Sequence, residues 1–360
     1  MKKVKSKNEK VAVLMSGGVD SSVSALLLKK QGFEVSGFFM KLQNCQKSKE
    51  AWCDAQKVAK QIGIPIFSVD GEKIFQKKVI DYFVDEYNDL RTPNPCVKCN
   101  RLIKFGWFFE EAKKRGFEKV ATGHYAQVKK DKDGVFHLLS GRDKNKDQSY
   151  FLHYLNQERL SKIIFPVGNL CKDETRKIAK ENNLSVSDKK ESQEVCFVPD
   201  DDYRAFLKEY SKNDFSKPGN IVNTKGEILG KHPGLTNYTI GQRKGLGEIR
   251  INNENSRPMF VLGFNEKKNE LIVGQEEPLY KKETIIKDIT WLSEKAKKLA
   301  LSGKGLKVKI RYRSEAVPCS IKKSGSRIQV IFRKSQRAIT PGQSAVFYWK
   351  NEVLGGGVIA

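Results

Sequence analysis

Short apolar runs alternate with amphipathic stretches through the first half of the chain. The apolar runs, at 11–15, 35–40, 64–69 and 119–122, have the length of buried strands. Stretches with apolar residues at helical spacing lie at 21–31, 50–62, 72–90 and 102–115. Strand–helix alternation predicts a parallel sheet covered by helices. Parallel sheets of this class bind ligands at the carboxyl ends of their strands.

The second half has a different pattern, because short β-rich runs replace the helical spacing after about residue 215. Polar turn segments at 265–269 and 323–326 predict hairpin loops. Runs at this spacing are typical of small antiparallel barrels. The predicted fold is therefore α/β, with an N-terminal parallel-sheet domain (1–215), a small central β-rich domain (216–280) and a C-terminal β-barrel (281–360).

The first predicted strand runs into the loop Ser16-Gly17-Gly18-Val19-Asp20-Ser21-Ser22. Two glycines let the backbone approach a ligand closely, and the following helix presents unpaired N–H groups and the positive end of its dipole. The serines add hydroxyl donors, so the loop predicts a cradle for phosphate. It is not a Walker A loop, because no Gly-Lys-Ser/Thr follows. Asp20 either complements the helix dipole or needs a counter-ion beside phosphate, which Mg²⁺ would supply.

The chain has seven cysteines, an odd number at wide spacings that does not indicate a disulfide framework. Cys99 precedes a helix predicted to begin near Arg101, so the helix N-terminus, Lys98 and Arg101 are expected to lower the pKa of its thiol. Cys196 lies in a polar stretch. Four other cysteines are predicted to be structural, namely Cys45, Cys53, Cys171 and Cys319.

Positive charge dominates the composition, with 67 Lys and Arg against 42 Asp and Glu and a formal net charge of +25. Such a field attracts phosphate backbones, so the predicted partner is nucleic acid, unless the lysines merely solvate the surface. No window approaches 18 uninterrupted apolar residues, which predicts no transmembrane helix and no membrane partner. Glu9 and Lys10 interrupt the basic N-terminus before a signal-peptide core could form, so a cytoplasmic location is expected.

The loop at 16–22 resembles the signature of the PP-loop ATP pyrophosphatases, which implies an adenine nucleotide α-hydrolase-like N-terminal domain. With its further motifs, the chain resembles the bacterial tRNA-specific 2-thiouridylases of the MnmA family over essentially its whole length. The matching segments are 15–22, 39–41, 92–95, 99–100, 104–105, 121–126, 146–152, 192–197, 238–247, 311–312 and 341–343.

This resemblance implies ATP-dependent thiolation of the wobble uridine in tRNAs for Lys, Glu and Gln. ATP would adenylate the 2-carbonyl oxygen and release pyrophosphate. A persulfide on Cys196 would then bring sulfur to the 2-carbon and release AMP, with Cys99 as the second catalytic nucleophile and a transient Cys99–Cys196 disulfide. The implied sulfur donor is a cysteine desulfurase or a sulfur-relay protein.

The resemblance also implies binding residues. For ATP they are Leu14, Met15, Ser16, Gly17, Gly18, Val19, Asp20, Ser21, Met40 and Gly123. For the anticodon stem-loop of tRNA they are Asn94, Pro95, Cys96, His124, Lys146, Asp147, Gln148, Arg311, Tyr312 and Gln343. Arg can grip phosphate with two hydrogen bonds and Tyr can stack on a splayed base, which suits such contacts.

Cys96 departs from part of the family, in which an Asp at this position could act as a general base on a thiol. A cysteine here leaves two mechanisms open. Either Cys96 is a bystander to persulfide transfer, or Cys96, Cys99 and Cys196 hold a [4Fe–4S] cluster with one open iron. Two other classes remain as alternatives: a PP-loop synthetase acting on a small molecule, and a non-catalytic RNA-binding module.

Overall fold

The structure, a computed structural model, describes residues 9–190, 195–210, 217–247 and 258–360. Three features of the sequence lie outside these ranges: the basic segment 1–7, positions 192–194 of the Cys196 motif, and the domain boundary at 215–216. Within the described ranges, no helix has the length and apolar character needed to cross a membrane.

The first part of the chain alternates strands and helices as predicted. In chain order it contains β1 (Lys10–Leu14), α1 (Val19–Lys30), β2 (Glu34–Lys41), α2 (Gln46–Ile62), β3 (Ile66–Asp70), α3 (Glu72–Phe75), α4 (Asp81–Asn88), α5 (Pro95–Lys98), α6 (Phe108–Lys114), β4 (Lys119–Ala121), β5 (Ala126–Lys130), β6 (Phe136–Ser140), α7 (Gln157–Leu160), β7 (Ile163–Ile164), α8 (Lys172–Glu181) and α9 (Tyr203–Tyr210). Five strands form a parallel sheet in the order β3-β2-β1-β4-β7, which confirms the predicted N-terminal fold.

Strand β1 lies at the centre of this sheet, and alternate side chains enter two different cores. Val11 and Val13 pack with residues of α1, α2 and α8 on one face. Ala12 and Leu14 pack with Phe108 and other residues of α6 on the opposite face. Burial on both faces explains why β1 reads as a continuous apolar run in the sequence.

Two helical stretches change their winding partway along. A π-helical segment at Gln76–Ile80 joins α3 to α4, and a second at Cys99–Trp107 joins α5 to α6. The helix predicted to begin near Arg101 therefore begins earlier, at Pro95. Asn94 caps it by accepting from the Val97 N–H at 3.3 Å, and proline is well suited to the first helical position.

The remainder of the chain is mostly β-structure. It contains β8 (Gly219–Val222), β9 (Ile228–His232), β10 (Phe260–Asn265), β11 (Glu270–Gly274), β12 (Tyr280–Trp291), α10 (Glu294–Leu301), β13 (Leu306–Lys309), β14 (Val317–Ser324), β15 (Arg327–Arg337), β16 (Ser344–Trp349) and β17 (Glu352–Ile359). The central sheet has the order β10-β11-β8-β9, and the last six strands close into a barrel through the β12–β17 pairing.

Several details differ from the sequence-based expectations. The central sheet is mixed, since β8 pairs parallel with β11. Helix α10 interrupts a region that was expected to lack helices, and it is capped by Ser293, which accepts from the Ala296 N–H. Both predicted hairpin loops are confirmed, because β10–β11 and β14–β15 are antiparallel neighbours. The β5–β6 hairpin was missed, and it extends the barrel sheet by pairing with β17.

Candidate active site: a phosphate loop beside a thiol cleft

The phosphate loop, residues 16–22, connects the end of β1 to the start of α1. Its serines brace it from within. The Ser21 hydroxyl accepts from the Ser16 N–H at 3.2 Å and donates to the Gly18 carbonyl at 3.1 Å. The Ser22 hydroxyl donates to the same carbonyl at 2.8 Å. In this state Ser21 and Ser22 therefore shape the loop, whereas the sequence suggested that they would donate to phosphate.

Two glycines allow the loop to pack as it does. Gly17 has φ +69°, and a Cβ there would lie 2.3 Å from the backbone carbonyl oxygen of Ala51 in α2. Gly123 follows β4, and a Cβ there would lie 2.7 Å from the backbone nitrogen of Ser21. Because the opposing atoms are backbone, neither position can accept a side chain without movement of the loop.

A lysine neutralises the acidic residue of the loop. Lys172, the first residue of α8, is 7% exposed, and its Nζ donates to both carboxylate oxygens of Asp20 at 2.7 and 2.8 Å. The Tyr125 hydroxyl donates to Asp20 Oδ1 at 2.9 Å and lies 3.0 Å from Thr175 Oγ1. Sequence reasoning missed Lys172, although a lysine at the first position of a helix is unfavourable to the helix dipole and was a usable signal.

Lys172 supplies the positive charge that the sequence suggested Mg²⁺ would bring. Since both oxygens of Asp20 already accept from the ammonium group, this carboxylate does not fit a direct Mg²⁺ ligand in the present conformation. A second lysine reaches the loop from the other side, because Lys189 Nζ donates to the Gly17 carbonyl at 3.0 Å and pairs with Asp54 at 2.7 Å. Sequence reasoning missed this lysine as well.

Three cysteines lie together in a thiol cleft, which we define by Cys96, Cys99, Cys196 and Lys104. Cys96 is in α5, Cys99 begins the second π-helical segment, and Cys196 precedes α9. Their thiols interact electrostatically with one another, and Lys104 interacts with all three. Cys99 is 9% exposed, whereas Cys96 and Cys196 are reached by solvent.

Burial controls the protonation of these thiols. It raises the pKa of Cys99 to about 12 and that of Cys196 to about 11, and Lys104 opposes the rise in both. Burial likewise raises the pKa of Cys96, since protein surrounds this sulfur on most sides although water reaches it. The expected lowering of the Cys99 pKa was wrong. The helix begins at Pro95, six residues before the predicted start, so Cys99 lies within the helical stretch and its sulfur is buried in the protein.

The donor set of the cleft is that of a soft metal or an iron–sulfur cluster. Nevertheless, within the described ranges, no three His, Cys, Asp or Glu side chains are spaced to hold one metal ion. This spacing excludes a single shared ion among the described residues, whereas each thiolate of a [4Fe–4S] cluster would bind a different iron, so the cluster stays an untested alternative.

A short series of neighbouring residues connects the phosphate loop to the thiol cleft, beginning with Gly123, whose backbone packs against Asp20 and Ser21. Met40, at the end of β2, packs in the apolar cluster that contains Cys99 and Phe197. His124 follows Gly123 directly, and Lys104 acts electrostatically on its ring. The loop and the cleft are therefore neighbouring parts of the N-terminal domain.

Matches to known families cover almost the whole chain. Residues 9–200 match the family described as the tRNA methyl transferase HUP domain, 204–275 the tRNA methyl transferase PRC-barrel domain, and 281–359 the aminomethyltransferase β-barrel domain. A tRNA-specific 2-thiouridylase MnmA of Clostridioides difficile is 45% identical over 98% of this chain and 98% of its own. The tRNA-specific 2-thiouridylase MnmA of Geobacter metallireducens is 44% identical over 98% of this chain and 96% of its own. The chain belongs to the tRNA-specific 2-thiouridylase family.

This membership confirms the predicted family and the prediction that the chain is an enzyme, and it disfavours a non-catalytic RNA-binding module. Among solved structures, the U34-tRNA thiolase NcsA from Methanococcus maripaludis with its [4Fe-4S] cluster is 19% identical. It covers 58% of this chain and 66% of its own, with a TM-score of 0.37. This likeness is too low to bear on the mechanism.

Residues expected to contact tRNA in the family make internal contacts in this structure. Asp147 accepts from the N–H groups of Gly141 and Ser149, both at 3.0 Å. Gln148 and Tyr125 exchange two hydrogen bonds, at 3.0 and 2.9 Å. Lys146, half-exposed, lies in the same turn. The segment 146–148 therefore braces the loop after β4, and its contact with tRNA stays a prediction.

His124 is 7% exposed, which leaves little surface for a direct contact with a macromolecule. Its Nδ1 lies 2.7 Å from Thr122 Oγ1, and its ring packs against Phe105 and Phe165. Burial, together with the charge of Lys104, holds the pKa of His124 well below its usual range. The imidazole is therefore neutral at physiological pH.

The predicted tRNA residues of the barrel are half-buried. Arg311 donates to the carbonyls of Arg337, at 3.0 Å, and Ala338. Tyr312 packs on Phe151, with ring centroids 4.4 Å apart. Gln343 donates to backbone carbonyls just before Asn94 and Pro95, so the structure brings three of the predicted tRNA residues together.

Two of the cysteines predicted to be structural are not buried. Cys45 and Cys53 are exposed, whereas Cys171 and Cys319 are half-buried. Cys45 precedes α2 and interacts electrostatically with Cys196, and Gln43 donates to the Phe197 carbonyl at 3.5 Å. Sequence spacing could not show that Cys45 lies near Cys196, because the segment after β2 and the segment 195–197 meet only in the folded chain.

Proposed function

We propose that this enzyme thiolates the wobble uridine of tRNAs for Lys, Glu and Gln at the 2-position, using ATP. The observation that carries the proposal is the convergence of Cys99 and Cys196 in a cleft next to a loop built for phosphate. The sequence motifs and the family support the same reaction. A small-molecule synthetase with a PP-loop would have no use for the paired thiols.

In the first step, the 2-carbonyl oxygen of uridine attacks the α-phosphorus of ATP, and pyrophosphate leaves. Gly17, Gly18 and the first turn of α1 offer N–H groups to the phosphates, while Lys172 balances the charge of Asp20. The oxygen is thereby converted into a leaving group, AMP.

In the second step, the terminal sulfur of a persulfide on Cys196 attacks the 2-carbon, and AMP leaves. Cys99 then attacks the Sγ atom of Cys196, which releases 2-thiouridine and leaves a Cys99–Cys196 disulfide. A cellular dithiol must reduce this disulfide by two electrons before the next turnover. The persulfide comes from a cysteine desulfurase or a relay protein, which reaches the exposed Cys196.

Because the pKa values of Cys99 and Cys196 are high, both thiols are protonated at neutral pH before substrate binds. A protonated thiol is a poor nucleophile and resists oxidation. Cys99 therefore needs to lose its proton only after substrate has bound, and Lys104 is the cation placed to stabilise the thiolate.

The test is a thiolation assay with ATP, tRNA and a desulfurase, using Cys99→Ala and Cys196→Ala. We expect each variant to lose at least about 10³-fold in rate, because each removes a reacting atom, with tRNA binding retained. Cys319→Ala, which alters a half-buried barrel cysteine, is the matched control and should keep full activity. Thiolation by either of the first two variants would refute the assigned roles.

Cys96→Ala separates persulfide transfer from cluster chemistry. Protein purified without oxygen is assayed for iron, labile sulfide and thiolation. Persulfide transfer predicts activity without iron and survival of activity in Cys96→Ala. Stoichiometric iron that disappears together with activity in this variant would instead support a cluster on Cys96, Cys99 and Cys196.

A further inference from the structure

The turn at Pro341–Gly342–Gln343, which joins the barrel strands β15 and β16, is hydrogen-bonded to the segment that leads into the thiol cleft. The Thr92 N–H donates to the Pro341 carbonyl at 2.9 Å. Gln343 Nε2 donates to the carbonyls of Thr92 at 3.0 Å and Pro93 at 3.2 Å. One side-chain amide of the barrel thus bridges two consecutive peptide groups of the N-terminal domain.

The fit between the two segments is close. Gly342 has φ +89°, and a Cβ there would lie 2.8 Å from the Thr92 carbonyl oxygen. The turn itself is held in the barrel, because the Gly342 N–H donates to the Ile359 carbonyl at 3.0 Å and the Ile359 N–H donates to the Gln343 carbonyl at 2.8 Å. The Gln343 amide therefore projects from a rigid base.

The central domain holds the same segment from a second direction. The hydroxyls of Thr92 and Thr239 lie 3.2 Å apart, and the Thr239 N–H donates to Gln242 Oε1 at 3.1 Å. Thr92 is consequently hydrogen-bonded to both the central domain and the C-terminal barrel, although it belongs in sequence to the N-terminal domain.

The segment after Thr92 is stiff. Pro93 and Pro95 fix their own φ angles and restrict the residues before them, and Asn94 caps α5 through the Val97 N–H. A displacement of Thr92 and Pro93 therefore also displaces Cys96 and Cys99, because the backbone between them has little conformational freedom.

We propose that Gln343 is a positioning residue, which sets the orientation of the thiol-bearing segment 92–99 through its two hydrogen bonds to Thr92 and Pro93. This inference rests on the proposed role of Cys99. The N–H groups of this amide nitrogen point at the two carbonyls, so a tRNA that engaged the nitrogen would break the bridge. Docking of tRNA on the barrel would in this way act directly on the thiols.

The test measures alkylation of Cys99 by iodoacetamide in the full chain without tRNA, with the modified peptides quantified by mass spectrometry. In Gln343→Met, which keeps the length of the side chain but cannot donate, we expect Cys99 to react about fivefold faster, since its shielding depends on the position of the segment. Alkylation of Cys319 in the same sample gives the reference rate.

Two further variants make the result specific. Gln336→Met is the matched control, because the Gln336 amide donates to the carbonyls of Lys334 and Ser335 in its own strand, and it should leave the Cys99 rate unchanged. Gln343→Lys keeps a donor of similar reach and should return the rate to within about twofold of the wild type.

Steady-state thiolation completes the test. A positioning role predicts that Gln343→Met lowers kcat while the KM for tRNA stays close to that of the wild type. An unchanged Cys99 alkylation rate, with a raised KM and unaltered kcat, would overturn the proposal and leave Gln343 as a tRNA contact alone. Because alkylation needs neither ATP nor tRNA, its outcome is independent of whether the proposed thiolation is correct.

Discussion

The phosphate loop and the thiol cleft lie side by side but are built in opposite ways. The loop is formed by one contiguous stretch that Ser21 and Ser22 brace from within, while lysines from distant elements meet Asp20 and the Gly17 carbonyl. The cleft gathers cysteines from segments far apart in the chain, and burial raises the pKa of each of its thiols. In the proposed reaction the loop is ready for its ligand, whereas the thiols of the cleft rest in the protonated form.

This difference agrees with the roles proposed for the two regions. A phosphate site gains from groups that are already in place, because no reorganisation is needed when charge develops. A reactive thiol that was always ionised would be exposed to oxidation between turnovers. Substitutions should accordingly act on the loop through packing and on the cleft through protonation.

Gly17→Ala should have the largest effect. The new Cβ would meet the Ala51 carbonyl and the residue would keep a positive φ, which together cost about 2–5 kcal/mol in unfolding free energy. Denaturant unfolding measures this loss, and ATP–pyrophosphate exchange should fall by at least about 100-fold.

Gly32→Ala is the control for that variant, because Gly32 also has a positive φ, +89°, but a Cβ there would meet nothing within 4 Å. This variant should lose about 1 kcal/mol of unfolding free energy, which is the cost of the positive φ without the steric contact. Equal losses in the two variants would show that the close approach to Ala51 is unimportant.

Lys172→Met should have an intermediate effect confined to the loop side. Removing the ammonium group leaves Asp20 without its charge partner, which should cost about 1–3 kcal/mol, since the pair is only partly buried. Pyrophosphate exchange should weaken, and the alkylation rates of Cys99 and Cys196 should stay the same. Lys177→Met, a change at an exposed lysine of α8, should alter the unfolding free energy by less than about 0.5 kcal/mol. If Lys177→Met destabilised the protein as much as Lys172→Met, the loss could not be assigned to the ion pair with Asp20.

Lys104→Gln should have the smallest effect, confined to the cleft. Lys104 lowers the pKa of Cys99 and Cys196, so its removal raises both values and lowers the thiolate fraction at pH 8. Alkylation of Cys196 should slow about two- to threefold. In the wild type the rate should rise about tenfold for each pH unit until it levels near pH 11.

Lys113→Gln, a change at an exposed lysine of α6, should leave that profile unaltered. A profile for Cys196 that levels near pH 8 would show that burial does not govern its pKa, and the contrast between loop and cleft would fail.

Much of the loop could be predicted from the sequence, whereas much of the cleft could not. The loop lies between a strand and a helix that are adjacent in the chain, so local signals are sufficient to find it. The partners Lys172 and Tyr125 were missed because they come from distant elements. The direction of the Cys99 pKa shift was wrong because neighbouring charges can be read from a sequence, but burial cannot.

By itself, the sequence determined the parallel sheet, the phosphate loop, the C-terminal barrel and the family of this enzyme, because these follow from local periodicity, glycine spacing and motifs. The tertiary structure alone decided which charge neutralises Asp20 and how deeply Cys99 is packed. It also decided that Gln343 of the barrel is hydrogen-bonded to the segment that precedes Cys99. The physical reason is that desolvation and contacts between domains depend on which surfaces meet, and these surfaces come together only when the whole chain has folded.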